Sequence, residues 1–138
     1  EARIRDIRII FDAGDDVPSV CVDAVQIQQV ALNLLRNAML HTRAPQGIRI
    51  CAERLEGDEI EVRVQDSGEG IPEAQIGRIF EPFYRVDESR NRKSGGHGLG
   101  LAIAASAVRR HGGRIAAANR DEGRLEVAVV LPLSPSGA

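Results

Sequence analysis

The sequence "SGGHGLGLAI" at residues 94–103 places four glycines among the seven residues 94–100 and then continues with apolar residues at helical spacing. A helix N-terminus presents free N–H groups and the positive end of the helix dipole, which together favour phosphate oxygens. Glycines let the backbone approach such oxygens closely and also act as hinges. The stretch therefore predicts a phosphate-binding lid followed by a helix, in preference to a flexible linker.

On both sides of this stretch, helical patterns alternate with strand patterns. The helix after the glycines is expected to end at Gly112 and Gly113, and residues 114–120 and 124–133 are predicted to form two closing strands. Further strands are predicted at residues 4–12, 47–55 and 59–67, a long helix at 23–42 and a short helix at 72–80. This order indicates an α+β two-layer sandwich, with three helices on one face of a mixed, mostly antiparallel sheet of about five strands.

Composition and charge exclude several classes of function. The net charge of −2 does not favour nucleic acid. No apolar run approaches the roughly 18 residues of a membrane span, and no signal peptide is recognisable, so we expect no membrane contact by this domain. Cys21 and Cys51 form no CxxC motif and are expected to be reduced thiols. We therefore expect a cytoplasmic location, either alone or as the cytoplasmic part of an inner-membrane sensor.

The long helix predicted at 23–42 carries an unusual polar line. At 100° per residue, Asn33, Asn37 and His41 lie along one edge of its apolar stripe. Asparagine is a poor helix former, so two of them one turn apart carry a cost. A neutral amide oxygen suits a hard cation that is already bound to phosphates. Half-exposed surface amides are an equally good interpretation of this pair on the residues alone.

The strand predicted at 59–67 ends in a carboxylate. Its period of two places Asp66 on the same face as Ile60, Val62 and Val64, so the side chain is directed towards the core. A buried carboxylate needs hydrogen-bond donors, and an exocyclic amino group would supply one. Gly68 and Gly70 follow and would let a flat ligand lie against the backbone. The alternative is a turn in which Asp66 accepts hydrogen bonds from local amides.

The segment between the short helix and the glycines is rich in charge. Most of its cations are expected to be solvated. Arg85 directly follows the apolar sequence "FEPFY", in which Phe80 and Phe83 are expected to anchor the segment to the core. A cation beside a phosphate site assists phosphoryl transfer, and Arg85 is the best placed candidate. The glycine spacing is also found in dinucleotide fingerprints, but no predicted strand precedes it, which excludes a Rossmann site.

Four motifs, "NLLRNAMLHT", "DSGEGIP", "FEPFYR" and "GGHGLGLAI", occur in this order. Together they resemble the four ATP-site boxes of the catalytic domain of bacterial sensor histidine kinases. That domain belongs to the superfamily shared with DNA gyrase B, MutL and heat-shock chaperone ATPases. The likeness extends from about residue 23 to residue 133. Each motif alone is weak, whereas four in order at these spacings are specific.

The resemblance implies a Bergerat-type fold that holds Mg–ATP between a pocket on the sheet side and the lid. It implies that Asn37 is the Mg2+ ligand with Asn33 supporting it, that Asp66 binds the adenine amino group, and that Arg85 reaches the γ-phosphate. Leu40 stands where the family often has a basic residue. The remaining residues implied to bind the nucleotide are His41, Gly68, Gly70, Ile71, Phe80, Gly96, His97, Gly98, Leu99, Gly100 and Leu101.

The resemblance further implies transfer of the ATP γ-phosphoryl group to a histidine. None of the three histidines has the sequence context of a phosphoacceptor, so we expect residues 1–133 to be one catalytic domain and 134–138 a tail. The partners would be a separate helical dimerisation domain of the same kinase, in cis or in trans, and a response regulator. A gyrase-type ATPase would have Glu at Asn33, so only slow hydrolysis is expected. An anti-sigma-type serine kinase and a non-catalytic nucleotide-binding module are the alternatives.

Overall fold

The computed structural model describes residues 8–13, 24–42, 47–68, 70–84, 99–120 and 124–132. These residues form five strands and three helices. The elements are β1 (Arg8–Ala13), α1 (Ala24–His41), β2 (Gly47–Leu55), β3 (Glu59–Gln65), α2 (Glu73–Ile76), α3 (Gly100–Arg110), β4 (Arg114–Asn119) and β5 (Leu125–Pro132). Within these ranges no helix is both long and apolar enough to cross a membrane.

The five strands form one sheet in the order β1-β2-β3-β5-β4. The β1–β2 pair is parallel, and the other three pairs are antiparallel. The prediction of a mixed, mostly antiparallel sheet is therefore confirmed. β2–β3 and β4–β5 pair as neighbours in sequence, whereas β3 pairs with β5 although α2, α3 and β4 lie between them in sequence. This long-range pairing places the end of β3 beside the start of β5.

Alternation along the strands defines an inner and an outer face of the sheet. Ile60, Val62 and Val64 of β3 lie opposite Leu131, Val129 and Val127 of β5 on the inner face. Most of these side chains are buried in the core together with side chains of α1 and α3. Burial of an aliphatic side chain contributes about 1.5–3 kcal/mol. This inner face therefore holds the helices in place.

Helices α1 and α3 pack against each other as well as on the sheet. α1 contributes Val30, Leu34 and Ala38 to the core, with the spacing predicted for its apolar stripe. α3 contributes Ala104, Ala107 and Val108. Small side chains at these α3 positions allow the two helix backbones to approach closely. Ile76 of α2 also packs against this core, so the three described helices share one face of the sheet.

The short helix departs from the sequence prediction. The short helix spans four residues, Glu73–Ile76, where residues 72–80 were predicted. Gly77 is its C-cap, and residues 77–80 form turns that nevertheless bury Ile79. The apolar pattern there came from turn packing and not from a continued helix. The predicted strand at 4–12 begins at Arg8 in the described part of the chain, and residues 4–7 lie outside it.

The outer face of the sheet carries ion pairs in place of helices. The Arg63 guanidinium lies 2.6 Å from a Glu53 oxygen and 2.8 Å from a Glu61 oxygen, and these hydrogen bonds, chiefly that to Glu53, raise the pKa of Arg63. Arg114 lies 2.8 Å from Glu59, and its hydrogen bond lowers the pKa of the Glu59 carboxyl group. The Arg63–Glu61 pair is partly buried, whereas Arg114 is 64% exposed, so the pair of Arg114 with Glu59 adds little to the stability of the fold.

Candidate functional site

Asp66 follows the last residue of β3 and is only 3% exposed, as its position in the strand pattern predicted. Its backbone N–H donates to the carbonyl oxygen of Leu125 at 3.1 Å. Its Oδ1 accepts a hydrogen bond from the N–H of Gly68 at 3.0 Å. Asp66 is therefore both a buried carboxylate and the acceptor of a local turn, so the two interpretations drawn from the sequence coexist.

Thr42, the residue after α1, ties the end of this helix to the segment after Asp66. Thr42 is 1% exposed, and its Oγ1 accepts a hydrogen bond from the N–H of Ser67 at 3.2 Å. The Ser67 hydroxyl in turn donates to the carbonyl oxygen of Gly47. Sequence reasoning missed this role, because a threonine at a helix end gives no sign of a partner 25 residues away. The contact fixes the C-terminal end of α1 beside Asp66.

Asn33 lies at the other end of the site, against the first turn of α3. Its side chain is 8% exposed, so the interpretation as a half-exposed surface amide is wrong for this residue. Nδ2 of Asn33 is buried and has no hydrogen-bond partner among the residues that the structure describes. A Cβ added to Gly100 would lie 3.4 Å from the Asn33 Oδ1. An unmet buried donor costs about 1–3 kcal/mol, so a group that accepts this hydrogen bond would bind favourably.

The C-terminal half of α1 connects these two ends. From Asn33 to Thr42 the helix rises about 13 Å, at 1.5 Å per residue. Asn37 lies between them, half-buried and on the same edge of the helix as Asn33. Asn33 lies beside Gly100 of α3, and Thr42 at the far end of α1 contacts Ser67, the residue after Asp66. The amide line thus runs from the carboxylate to the N-terminus of α3.

No described residue caps the N-terminus of α3 with its side chain. Leu99 is the N-cap residue and makes no side-chain hydrogen bond to the helix. Leu101 is half-buried and packs against the core. The first turn of a helix carries unsatisfied N–H groups and the positive end of the dipole, and both favour an anion there. Leu99 and Gly100 lie at this N-terminus, and their contacts with phosphate stay a prediction.

The other residues predicted for the site divide into three groups. Gly70 has φ of +80°, which glycine adopts readily, so the conformation of the turn itself requires this glycine. Ile71 is buried and Phe80 packs against the core.

The expectation that Phe83 anchors the next segment is wrong, since Phe83 is 72% exposed with φ of +67°. Arg85, Gly96, His97, Gly98 and the side chain of His41 lie outside the described residues.

Asn119 was not singled out from the sequence, although it lies next to the segment after Asp66. Its Oδ1 accepts a hydrogen bond from the N–H of Ile71 at 3.0 Å, and its Nδ2 donates to the Ile71 carbonyl oxygen at 2.5 Å. Nδ2 also lies 3.0 Å from a Glu73 carboxylate oxygen. A signal was available, because the period of two places Asn119 on the face of Ile115 and Ala117.

The fold and the four motifs can now be compared with known proteins. Residues 22–135 match the family described as "Histidine kinase-, DNA gyrase B-, and HSP90-like ATPase", and the chain belongs to this family. Within it, the similar proteins are sensor histidine kinases. The chain is 40% identical over 129 residues to the alginate biosynthesis sensor protein KinB of Pseudomonas aeruginosa, a match that covers 94% of the chain and 21% of KinB. The chain therefore spans about a fifth of this relative.

Solved structures give the same assignment. The catalytic domain of the histidine kinase ThkA superimposes with a TM-score of 0.80 at 30% identity, covering 94% of the chain and 82% of that structure. Full-length ShkA in complex with AMPPNP superimposes with a TM-score of 0.79 at 27% identity, covering 96% of the chain and 27% of ShkA. The resemblance inferred from the four motifs is confirmed.

Proposed function

We propose that the chain is the ATP-binding catalytic module of a two-component sensor histidine kinase. It would transfer the γ-phosphoryl group of ATP to a histidine on a helical dimerisation domain, in cis or in trans, from which a response regulator receives the group. The kinase relatives and the AMPPNP complex of ShkA support this assignment. The larger proteins in which such modules occur would supply the dimerisation domain and the sensor.

One observation carries the proposal: the buried Nδ2 of Asn33, beside the first turn of α3, has no hydrogen-bond partner in the described part of the chain. A buried donor next to a helix N-terminus fits an anionic ligand such as a phosphate group. Asn37, one turn further on, would offer an amide oxygen to Mg2+, and the ion would neutralise charge on the phosphates when bound. The donor set of the described residues therefore fits Mg–ATP at this end.

The opposite end of the site fits a purine base. Asp66 is buried and accepts a hydrogen bond from the N–H of Gly68, so its carboxylate is held in a defined orientation. In our proposal it accepts a hydrogen bond from the adenine amino group. Gly68 and Gly70 have no side chains to obstruct a ring that lies against them. Recognition of the base and of the phosphates is thus assigned to opposite ends of α1.

The chain needs no strong base for this reaction. A neutral imidazole is itself a nucleophile: its nitrogen forms the bond to the γ-phosphorus as the bond to the leaving ADP oxygen breaks. Catalysis then consists mainly of positioning and charge neutralisation. Hydrolysis would require a group that orients water and accepts its proton, and the amide of Asn33 cannot accept one. We therefore expect efficient transfer to a presented histidine and slow ATP hydrolysis by the domain alone.

The test is to incubate the domain with γ-labelled ATP, Mg2+ and candidate helical dimerisation domains. The proposal predicts label on the partner that is lost in acid and stable in base, as for phosphohistidine. Asn37→Ala should abolish transfer, whereas Gln29→Ala, at an exposed position of the same helix, should not alter it. Acid-stable label on serine or threonine would favour the anti-sigma-type alternative. Nucleotide binding without transfer to any partner would favour a regulatory module.

A further inference from the structure

Asn119 holds the segment that the proposed function assigns to the purine base. We propose that Asn119 is a positioning residue for nucleotide binding, acting through the backbone of Ile71 and not through the ligand. The inference rests on the proposed function, because segment 66–71 matters for binding only if Asp66 binds the base. The supporting contacts lie at both ends of that segment.

The first contact is the double hydrogen bond between one side chain and one residue's backbone. Asn119 is the last residue of β4, which is an edge strand of the sheet. Its amide accepts from the Ile71 N–H at 3.0 Å and donates to the Ile71 carbonyl oxygen at 2.5 Å. A neighbouring strand would bond Ile71 in the same way. The Asn119 side chain thus bonds both backbone groups of Ile71, as a neighbouring strand would, and joins Ile71 to the sheet.

The second contact lies at the start of the same segment. Leu125 is the residue of β5 that faces Asn119 in the β4–β5 ladder. The Leu125 carbonyl oxygen accepts the N–H of Asp66 at 3.1 Å. Facing positions on two adjacent strands therefore hold the first and the last residue of segment 66–71. With both ends fixed, the Asp66 carboxylate has little freedom to move away from a base.

Burial makes the bond to Asn119 difficult to replace. Ile71 is 5% exposed, so water has little access to its backbone groups when the Asn119 side chain is removed. Gly70, which precedes it, has φ of +80° and is the residue most able to change conformation once Ile71 is released. Loss of the amide would leave two buried polar groups unmet and would allow the segment to shift.

The shape-conserving substitution Asn119→Asp gives the sharpest test. A carboxylate keeps the acceptor for the Ile71 N–H but has no donor for the Ile71 carbonyl oxygen. It would also bring a second negative charge to the Glu73 oxygen that now lies 3.0 Å from Nδ2. Asn119→Ala removes both hydrogen bonds to Ile71 without adding charge. Arg114→Ala is the matched control, because Arg114 begins the same strand, makes side-chain hydrogen bonds to Glu59 and lies on the outer face.

Calorimetric titration should measure the affinity of each variant for Mg–AMPPNP, and for ADP in the presence of EDTA. We expect both Asn119 variants to bind about tenfold more weakly, the size of one or two lost hydrogen bonds. The loss should be equal for the two ligands, since they share the base. Arg114→Ala should remain within about twofold of the wild type. In transfer assays with a partner domain, KM for ATP should rise about tenfold while kcat stays within about twofold.

Chemical denaturation of each variant separates positioning from stability. Unchanged affinities in a folded Asn119→Asp protein would overturn the inference and leave the proposed function intact. A wild-type domain that binds neither ligand would instead overturn the proposed function. If Asn119→Ala does not fold, the affinity test uses Asn119→Asp and the double variant that carries Asn119→Asp together with Glu73→Gln. The combination removes the added repulsion, so recovery of part of the affinity is expected, and a double variant no better than Asn119→Asp would contradict the assigned contact.

Discussion

Helix α3 has a glycine near each end, but the two glycines have different surroundings. At the C-terminal end, a Cβ on Gly113 would overlap the Val130 carbonyl oxygen and lie 3.1 Å from a Val108 methyl carbon. At the N-terminal end, a Cβ on Gly100 would lie at ordinary contact distance, 3.4 Å, from Asn33. Gly113 is therefore required by packing within the chain, whereas the space beside Gly100 adjoins an unmet donor. The difference separates the end that stabilises the fold from the end that is proposed to bind the phosphates.

The largest effect is expected at the packed end. Gly113→Ala should destabilise the domain by about 3 kcal/mol or more, or prevent folding, because β5 must move to admit the methyl group. The free energy of unfolding from urea titration is the measurement. Gly77→Ala is the control, since Gly77 has φ of −67° and no atom lies within 4 Å of an added Cβ. Equal stabilities of the two variants would contradict the packing described for Gly113.

A large effect on the affinity for ATP alone is expected for substitution of Asp66. Asp66→Asn keeps the size of the side chain and an acceptor for the Gly68 N–H, but it removes the charge. A hydrogen bond to a charged group is worth about 1.5–3 kcal/mol, so the affinity for ATP should fall about 10- to 100-fold. Calorimetry gives the affinity and circular dichroism checks the fold. An unaltered affinity would show that Asp66 does not contact the base.

Gly100→Ala should have opposite effects on stability and on binding. Alanine is favoured over glycine within a helix by up to about 1 kcal/mol, so the free protein should become slightly more stable. The added methyl group would narrow the space beside Asn33, and the affinity for Mg–ATP should fall about fivefold, or about 1 kcal/mol. Thermal unfolding with and without nucleotide measures both quantities. A variant that gains stability and keeps its affinity would contradict the role assigned to this space.

The smallest effect is expected for the exposed ion pair that follows Gly113. Because Arg114 lowers the pKa of Glu59, the folded state favours the carboxylate. The resulting stabilisation is present above the usual pKa of 4.5 and is lost as the pH falls through the lower folded value. Urea titrations at several pH values should show Glu59→Gln to be slightly less stable than the wild type at neutral pH and equal to it in acid. A constant difference at all pH values would exclude this cause.

Local patterns predicted the parts of the structure that depend on neighbouring residues. The alternation in β3 predicted that Asp66 is buried, and the helical period predicted that Asn33 and Asn37 share an edge of α1. The pairing of β3 with β5 joins residues far apart in sequence, so no local pattern specifies it. For Phe83 the local pattern gave a wrong prediction. An aromatic residue in an apolar stretch suggested an anchor, but its backbone has φ of +67° and its ring is exposed.

Asn119 and Thr42 also differ in how far the sequence indicates their contacts. Asn119 could have been found, because a polar residue at an inner-face position of a strand needs a partner. Its partner, Ile71, depends on how the segment after Asp66 crosses the end of the sheet. The hydrogen bond from Ser67 to Thr42 joins α1 to β3 through tertiary structure alone. Sequence therefore identified the groups proposed to touch the ligand better than the groups that hold them in place.

The stretch from Asn33 to Thr42 joins the two ends of the proposed site. Its length therefore sets the distance between the groups proposed to bind the phosphates and those proposed to bind the base. One residue inserted there would rotate everything beyond it by about 100° and advance it by about 1.5 Å. The amides and the carboxylate would then no longer face the same molecule. Homologous domains are therefore expected to tolerate insertions in the hairpin turns of the sheet and to keep this stretch of helix at constant length.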